Sequence, residues 1–315
     1  MKINYNSPKI IVLLLLTISA VLNAQQDAQY TQYIYNTVTI NPGYAGTRDV
    51  INIVGLHRTQ WIGIDGAPST QTLSIHSPIG EGKIGLGGSV INDEIGPVSE
   101  TYVDANFSYT VPTSENGKIS YGLKAGARLF NVDFNKLTRD LTNQAFFNSV
   151  ENQISPSLGA GAYYHTNKFY IGLSVPNFLE TKHLQVDEVE DISTASSVAR
   201  ERLSTFLIAG HTFDLTRNVK FKPAILNKIV AGAPIQVDVS ANFLLQEKFT
   251  VGVAYRWSAA ISAVAAFQVS DSILIGLAYD RETTELAQLN NGSFEIVLRY
   301  ELLRKYDKLF TPRFF

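Results

Sequence analysis

The chain contains no cysteine, so neither a disulfide framework nor a thiolate nucleophile is open to it. Beyond residue 22 it also lacks any apolar run approaching the roughly 20 residues of a spanning helix. Charge of one sign is missing too: 26 Lys and Arg against 28 Asp and Glu leave a net charge of −2, which gives no long-range attraction for nucleic acid. The five histidines, His57, His76, His165, His183 and His211, never fall in a paired metal-ligand spacing and read as isolated polar-face or loop residues. Asp93-Glu94 and Asp187-Glu188-Val189-Glu190-Asp191 lack the glycine-centred ligand alternation of a calcium loop and read as solvated loop charge. No Gly-x-Ser-x-Gly elbow is present. Gly85-Leu86-Gly87-Gly88 has no P-loop lysine and no helix after it, so close packing in a curved wall is the better reading. These absences leave no catalytic constellation and no cofactor or metal site, and the protein is expected not to be an enzyme.

What is abundant leans towards strands, with 17 Phe, 15 Tyr and 22 Gly. The clearest unit is a hairpin. Ile235, Val237, Val239, Ala241, Phe243 and Leu245 alternate with Gln236, Asp238, Ser240 and Asn242, which is the two-residue period of a strand with one apolar and one polar face. Gln246-Glu247-Lys248 turns the chain, and Val251, Val253, Tyr255 and Trp257 continue the apolar face on the return. Each arm is close to the about 9–11 residues of a tilted transmembrane strand, and Trp257 sits where an interfacial aromatic belongs.

At the N-terminus, Lys2 and Lys9 precede the apolar run Ile10–Leu22, and Asn23-Ala24 offers a cleavage point before Gln25. This pattern predicts a signal peptide over residues 1–24; a membrane anchor would need a longer run. A mature chain living in a membrane must then cross it with strands. Residues 25–48 alternate weakly and are punctuated by Pro42 and Gly43, which predicts an ordered non-strand segment, either a plug or a periplasmic cap.

From there to residue 302 about fourteen strands follow, near 50–58, 69–77, 83–92, 98–111, 118–130, 155–165, 168–175, 201–213, 218–226, 235–245, 249–257, 260–269, 272–280 and 292–302. Connections after odd strands run long, as at Asn131–Ile154, Pro176–Arg200 and Arg281–Asn291. Those after even strands are tight, which gathers all tight turns at one end as in outer-membrane barrels. An even strand count returns both termini to the periplasmic side, with residues 303–315 as a periplasmic tail. Soluble barrels alternate as well, with the apolar face turned inward. Two features favour lipid. The opposite face carries Asp104, Asn106, Lys124, Arg128, Asp238, Arg256 and Arg299, and fourteen strands enclose a bore too wide for an oily filling. The expected architecture is therefore an all-β transmembrane antiparallel barrel in the outer membrane. In the long loop at 131–154, Phe146-Phe147 are aromatics that a solvated loop would not keep without a partner, and they are candidates for partner contact or for closing the lumen.

Several motifs bear a family likeness. Gln26-Asp27-Ala28-Gln29-Tyr30, Tyr33 to Asn36, and Asn41-Pro42-Gly43-Tyr44-Ala45-Gly46 resemble the mature start of PorP/SprF-type proteins of the type IX secretion system, with Gly43 in place of the usual alanine. Arg58-Thr59-Gln60-Trp61, Asn92-Asp93, Tyr170 to Pro176, Tyr279-Asp280 and the terminal Pro312-Arg313-Phe314-Phe315 follow in the same order. The resemblance implies an outer-membrane barrel of Bacteroidetes that assists secretion and, in gliding species, anchors adhesins at the cell surface. Its implied partners are the folded C-terminal domain of a secreted cargo, the periplasmic secretion machinery and outer-membrane lipid. A second function of the same barrel is a pore or hydrophobic-solute transporter with residues 25–47 as a movable plug; a soluble periplasmic binding barrel is a third.

Overall fold

The protein is seen in a computed structural model that describes residues 29–80, 82–133, 150–179 and 203–302. The expected signal peptide at 1–24, residues 25–28, Phe146, Phe147 and the terminal Pro312, Arg313, Phe314 and Phe315 lie outside the described residues.

Fifteen strand segments build the wall: β1 (Ile51–Thr59), β2 (Ser69–Ile79), β3 (Ile84–Ile95), β4 (Val98–Pro112), β5 (Lys118–Val132), β6 (Val150–His165), β7 (Phe169–Val175), β8 (Ser204–His211), β9 (Phe213–Thr216), β10 (Val219–Val230), β11 (Gln236–Leu245), β12 (Phe249–Arg256), β13 (Ala260–Gln268), β14 (Ile273–Glu282) and β15 (Ser293–Leu302). β8 and β9 are two halves of one wall strand, because both pair with β10. The break falls at buried Thr212, whose N–H turns to the Lys168 carbonyl instead. Neighbours in the sequence pair antiparallel, and the last strand closes on the first with Ile51 opposite Leu302 and Thr59 opposite Phe294. The wall is thus a closed barrel of fourteen antiparallel strands, without the free edges that a bilayer would leave unsatisfied.

The alternation resolves as lipid out, polar in. On β5, Leu123 is 62% exposed while its neighbour Lys124 is 7% exposed. Val239, Val253, Ile261, Leu277 and Leu298 repeat the outward pattern on other strands. Each such side chain would lose roughly 1.5–3 kcal/mol of burial if it faced water instead of an apolar phase. At the tight-turn end the rings of Tyr164, Phe169, His211, Phe213, Phe221 and Phe243 form a continuous row from β6 to β11, with successive centroids 4.4–6.4 Å apart. This is the interfacial girdle expected where the apolar belt meets headgroups. At the other end of β2–β4 the outward residues turn polar, and Asn92 donates to both Gln71 and Glu94 while accepting from Thr101.

Loop parity needs one correction. Every connection after an even wall strand is tight, but Gly96-Pro97, residues 231–235 and residues 257–259 make tight turns at the long-loop end as well. Gly96 at φ 54° and Ser258 at φ 55° supply the left-handed backbone such turns need. Short periplasmic turns are the rule for these barrels, whereas outer connections are free to be either length.

Candidate functional site: the plugged bore

The segment from Gln29 to Val50 lies inside the barrel. It makes no strand; three short 3-10 turns, Tyr33–Tyr35, Thr37–Thr39 and Pro42–Tyr44, fold it into a compact rod. Proline, glycine and asparagine suit it to turns, and its apolar residues have no two-residue period. Tyr30, Tyr33, Ile34, Tyr35, Val38, Ile40, Tyr44 and Ala45 are all buried, packed against inward wall residues such as Val54, Leu56, Tyr163, Tyr170, Ile208 and Val297. Its polar contacts reach strands around the circumference, so of the two readings left open by the sequence the segment is a plug.

The Asn41–Gly46 motif is the fixture that seats it. The Asn41 side-chain oxygen accepts from the Gly43 N–H at 2.9 Å, closing the turn, and its amide nitrogen donates to the Ala162 carbonyl of β6 at 3.1 Å. Ser174 of β7 donates to the Ile40 carbonyl and Ser108 of β4 to the Ala45 carbonyl, both at 2.7 Å. The Gly46 N–H donates to His76 Nδ1 at 3.1 Å. A ring nitrogen that accepts leaves the proton on Nε2, which lies 3.0 Å from the Asn52 side-chain amide and needs its oxygen as partner. Tyr44 stands edge-on to both His76 and Tyr163 at 5.3 Å between centroids.

The plug comes close because the wall has glycine where it touches. A Cβ at Gly122 would lie 2.2 Å from the Gly43 nitrogen, one at Gly85 2.1 Å from the Ala45 oxygen, and one at Gly161 2.3 Å from the Asn41 side-chain oxygen. Gly172 faces Asn41 and Gly276 faces Gln32 in the same way. Gly85, whose sequence context indicates close packing in a curved wall, is a seat for the plug.

Charged side chains complete the bore. Near one end of the plug, Arg58 of β1 pairs with Asp280 of β14 at 2.6 Å and with Glu295 of β15 at 3.2 Å, all three buried. This cluster holds the plug directly: the Thr31 hydroxyl donates to Asp280 at 2.8 Å, and the backbone N–H groups of Thr31 and Gln32 donate to the two Glu295 oxygens at 3.0 and 2.8 Å. Near the other end Arg48 pairs with Glu301, which also faces Arg299 at 3.6 Å. Lys124 with Asp104, Arg128 with Glu100 and Arg256 with Asp238 pair within the wall. Among the described residues no group of three His, Asp or Glu is arranged to hold a metal ion.

Sequence reasoning singled out the motif, and Arg58 and Asp280 within other family-like motifs, but not that these residues receive the plug. Arg58, His76, Asp280 and Glu295 are scattered over four strands, and only the register of the closed sheet brings them to the plug. Phe146 and Phe147 are outside the described residues and are not placed by the structure.

A closed fourteen-stranded wall with an apolar belt, an aromatic girdle and a bore filled by its own N-terminal segment defines an outer-membrane β-barrel of the plugged kind. The chain belongs to the PorP/SprF family of type IX secretion system membrane proteins, whose family model matches residues 22–300. No curated protein matches it in sequence. Among solved structures it is similar to the outer membrane protein Omp33 of Acinetobacter baumannii, with 8% identity over 80% of this chain and 98% of that one, at a TM-score of 0.47. The CymD monoaromatic hydrocarbon channel is similar at 11% identity over 86% and 93%, with a TM-score of 0.46. A FadL homologue of Pseudomonas aeruginosa stands at 11% over 80% and 89%, with a TM-score of 0.42.

Proposed function

We propose that this barrel is a non-enzymatic component of type IX secretion that assists export of cargo proteins and holds them at the cell surface, adhesins of gliding cells among them. Family membership supports involvement with the secretion machinery. The observation that carries the reading beyond that is the filled bore: residues 29–50 occupy it with apolar packing, hydrogen bonds and ion pairs, which suits a docking platform better than an open pore. The cargo's folded C-terminal domain and the periplasmic machinery are the proposed partners. Purification from outer membranes in detergent should bring down a type IX cargo protein with the barrel, and deletion of the gene should remove that cargo from the surface. Unchanged display of every such cargo would end the proposal.

A gated pore or hydrophobic-solute transporter is the second reading. It is favoured by the polar and charged wall behind the plug, including buried Lys222 and Lys228. In planar bilayers the intact protein should be closed under the first reading, and a variant lacking residues 29–46 should conduct. Conductance or solute uptake by the intact protein would favour the second.

A further inference from the structure

The plug has a direction. Gln29 donates its side-chain amide to Gln236, the first residue of β11, and Gln236 follows the 231–235 connection at the long-loop end. Thr31 and Gln32 are held by Asp280 and Glu295, which flank the 283–292 connection at that same end. Tyr30 meets Thr72 at 2.9 Å, near the start of β2. Further along, Gly46 lies against Pro78 and Gly85, which flank the short 80–83 turn. Arg48 reaches Glu301 near the end of β15, and Asp49 lies 4.0 Å from Lys118 at the start of β5. The backbone therefore climbs the whole bore, with residue 29 at the long-loop mouth and residue 50 at the tight-turn rim. Gln29 is half-buried at its mouth and Asp49 is exposed at the other.

Tight turns mark the periplasmic side of an outer-membrane barrel and long loops the outer side. We infer that the Gln29 end of the plug opens on the outer face of the membrane, opposite the periplasmic rim where Val50 runs into β1. A protein that grips or shifts the plug by its end does so at the cell surface. Because the attachment to β1 is fixed, the Gln29 end is the part that can shift; the Arg58, Asp280 and Glu295 cluster that holds Thr31 and Gln32 is its latch. This rests on the outer-membrane reading and adds the sidedness of the N-terminal end, which an even strand count alone assigns to the opposite side.

An epitope tag inserted between Ala28 and Gln29 tests it, read by antibody on intact and on permeabilised cells. The same tag at Asp65 in the 60–68 connection and at Ser114 in the 113–117 turn reports each side. Heat-modifiable migration confirms that each variant has assembled as a barrel. The expected result is that the Ala28–Gln29 tag and the Asp65 tag are bound on intact cells, while the Ser114 tag is bound only after permeabilisation. Binding of the Ala28–Gln29 tag only after permeabilisation, or on neither preparation although it is detected by blot, overturns the inference and leaves the barrel orientation standing. Inverted behaviour of the Asp65 and Ser114 tags overturns the orientation itself.

Discussion

Glu295 of β15 holds the plug from the wall, accepting from two plug amides and pairing with Arg58 while nearly free of solvent. Replacing it with alanine leaves Arg58 with Asp280 alone and two backbone donors unmet, and breaking a buried pair in this way costs about 3–5 kcal/mol. A Glu295→Ala barrel is expected to assemble, lose heat resistance in detergent and open the now buried plug residues from Thr31 onward to added protease. Gly43 offers a second test at this scale. An alanine there, as in the motif the segment resembles, would bring its Cβ to 2.9 Å from the Ser120 oxygen and 3.2 Å from the Tyr163 nitrogen, both backbone atoms. The departure at Gly43 is thus matched by a wall that closes tightly over it. Gly122→Ala makes the sharper clash, with its Cβ 2.2 Å from the Gly43 nitrogen, and is expected to unseat the motif and produce conductance in planar bilayers where the parent is closed. Neither wall contact is legible in the one-dimensional string, since Gly122 looks like any other small residue of a strand.

Among elements, the strands were the legible part. The period-two pattern placed all fourteen, and the hairpin of β11 and β12 pairs Val239 with Tyr255 and Asp238 with Arg256 across its two faces. What periodicity did not show is the break in the eighth strand at Thr212 or the heights of the wall, where β4, β5 and β6 run 15 to 16 residues and β7 only seven. Those lengths depend on pairing partners rather than on local preference. The plug was recognised as ordered and non-strand, but a segment without a period carries no mark of which side it packs on. Its position can be checked by placing cysteines at Gln29 and Gln236 in this cysteine-free chain. A short bifunctional maleimide should then link residue 29 to β11 in folded barrels and fail to do so after heat unfolding.

For the whole molecule, the energetics are those of a sheet that turns its greasy side outward. Leu277, near the middle of β14 and 55% exposed, should behave as a lipid-facing residue. Leu277→Arg is expected to cost about 2–4 kcal/mol near the bilayer midplane, measured as a loss of folded barrel in unfolding from lipid vesicles. A substitution of the same size at a residue facing water would change little, so an unaffected stability would contradict the outward assignment.

By itself the sequence determined the run of alternating strands, because a strand's period is a local property, and it favoured a membrane barrel because the opposite face is charged and fourteen strands enclose too wide a bore for an oily filling. It also marked residues 25–48 as a non-strand segment, through the turn chemistry of Asn41–Gly46. Only the tertiary structure decided that the plug runs up through the bore, that wall glycines seat it, and that Arg58, Asp280 and Glu295 hold its far end. The contacts of Asp280 and Glu295 with Thr31 and Arg58 join residues more than two hundred positions apart, and their geometry exists only once the last strand has closed on the first.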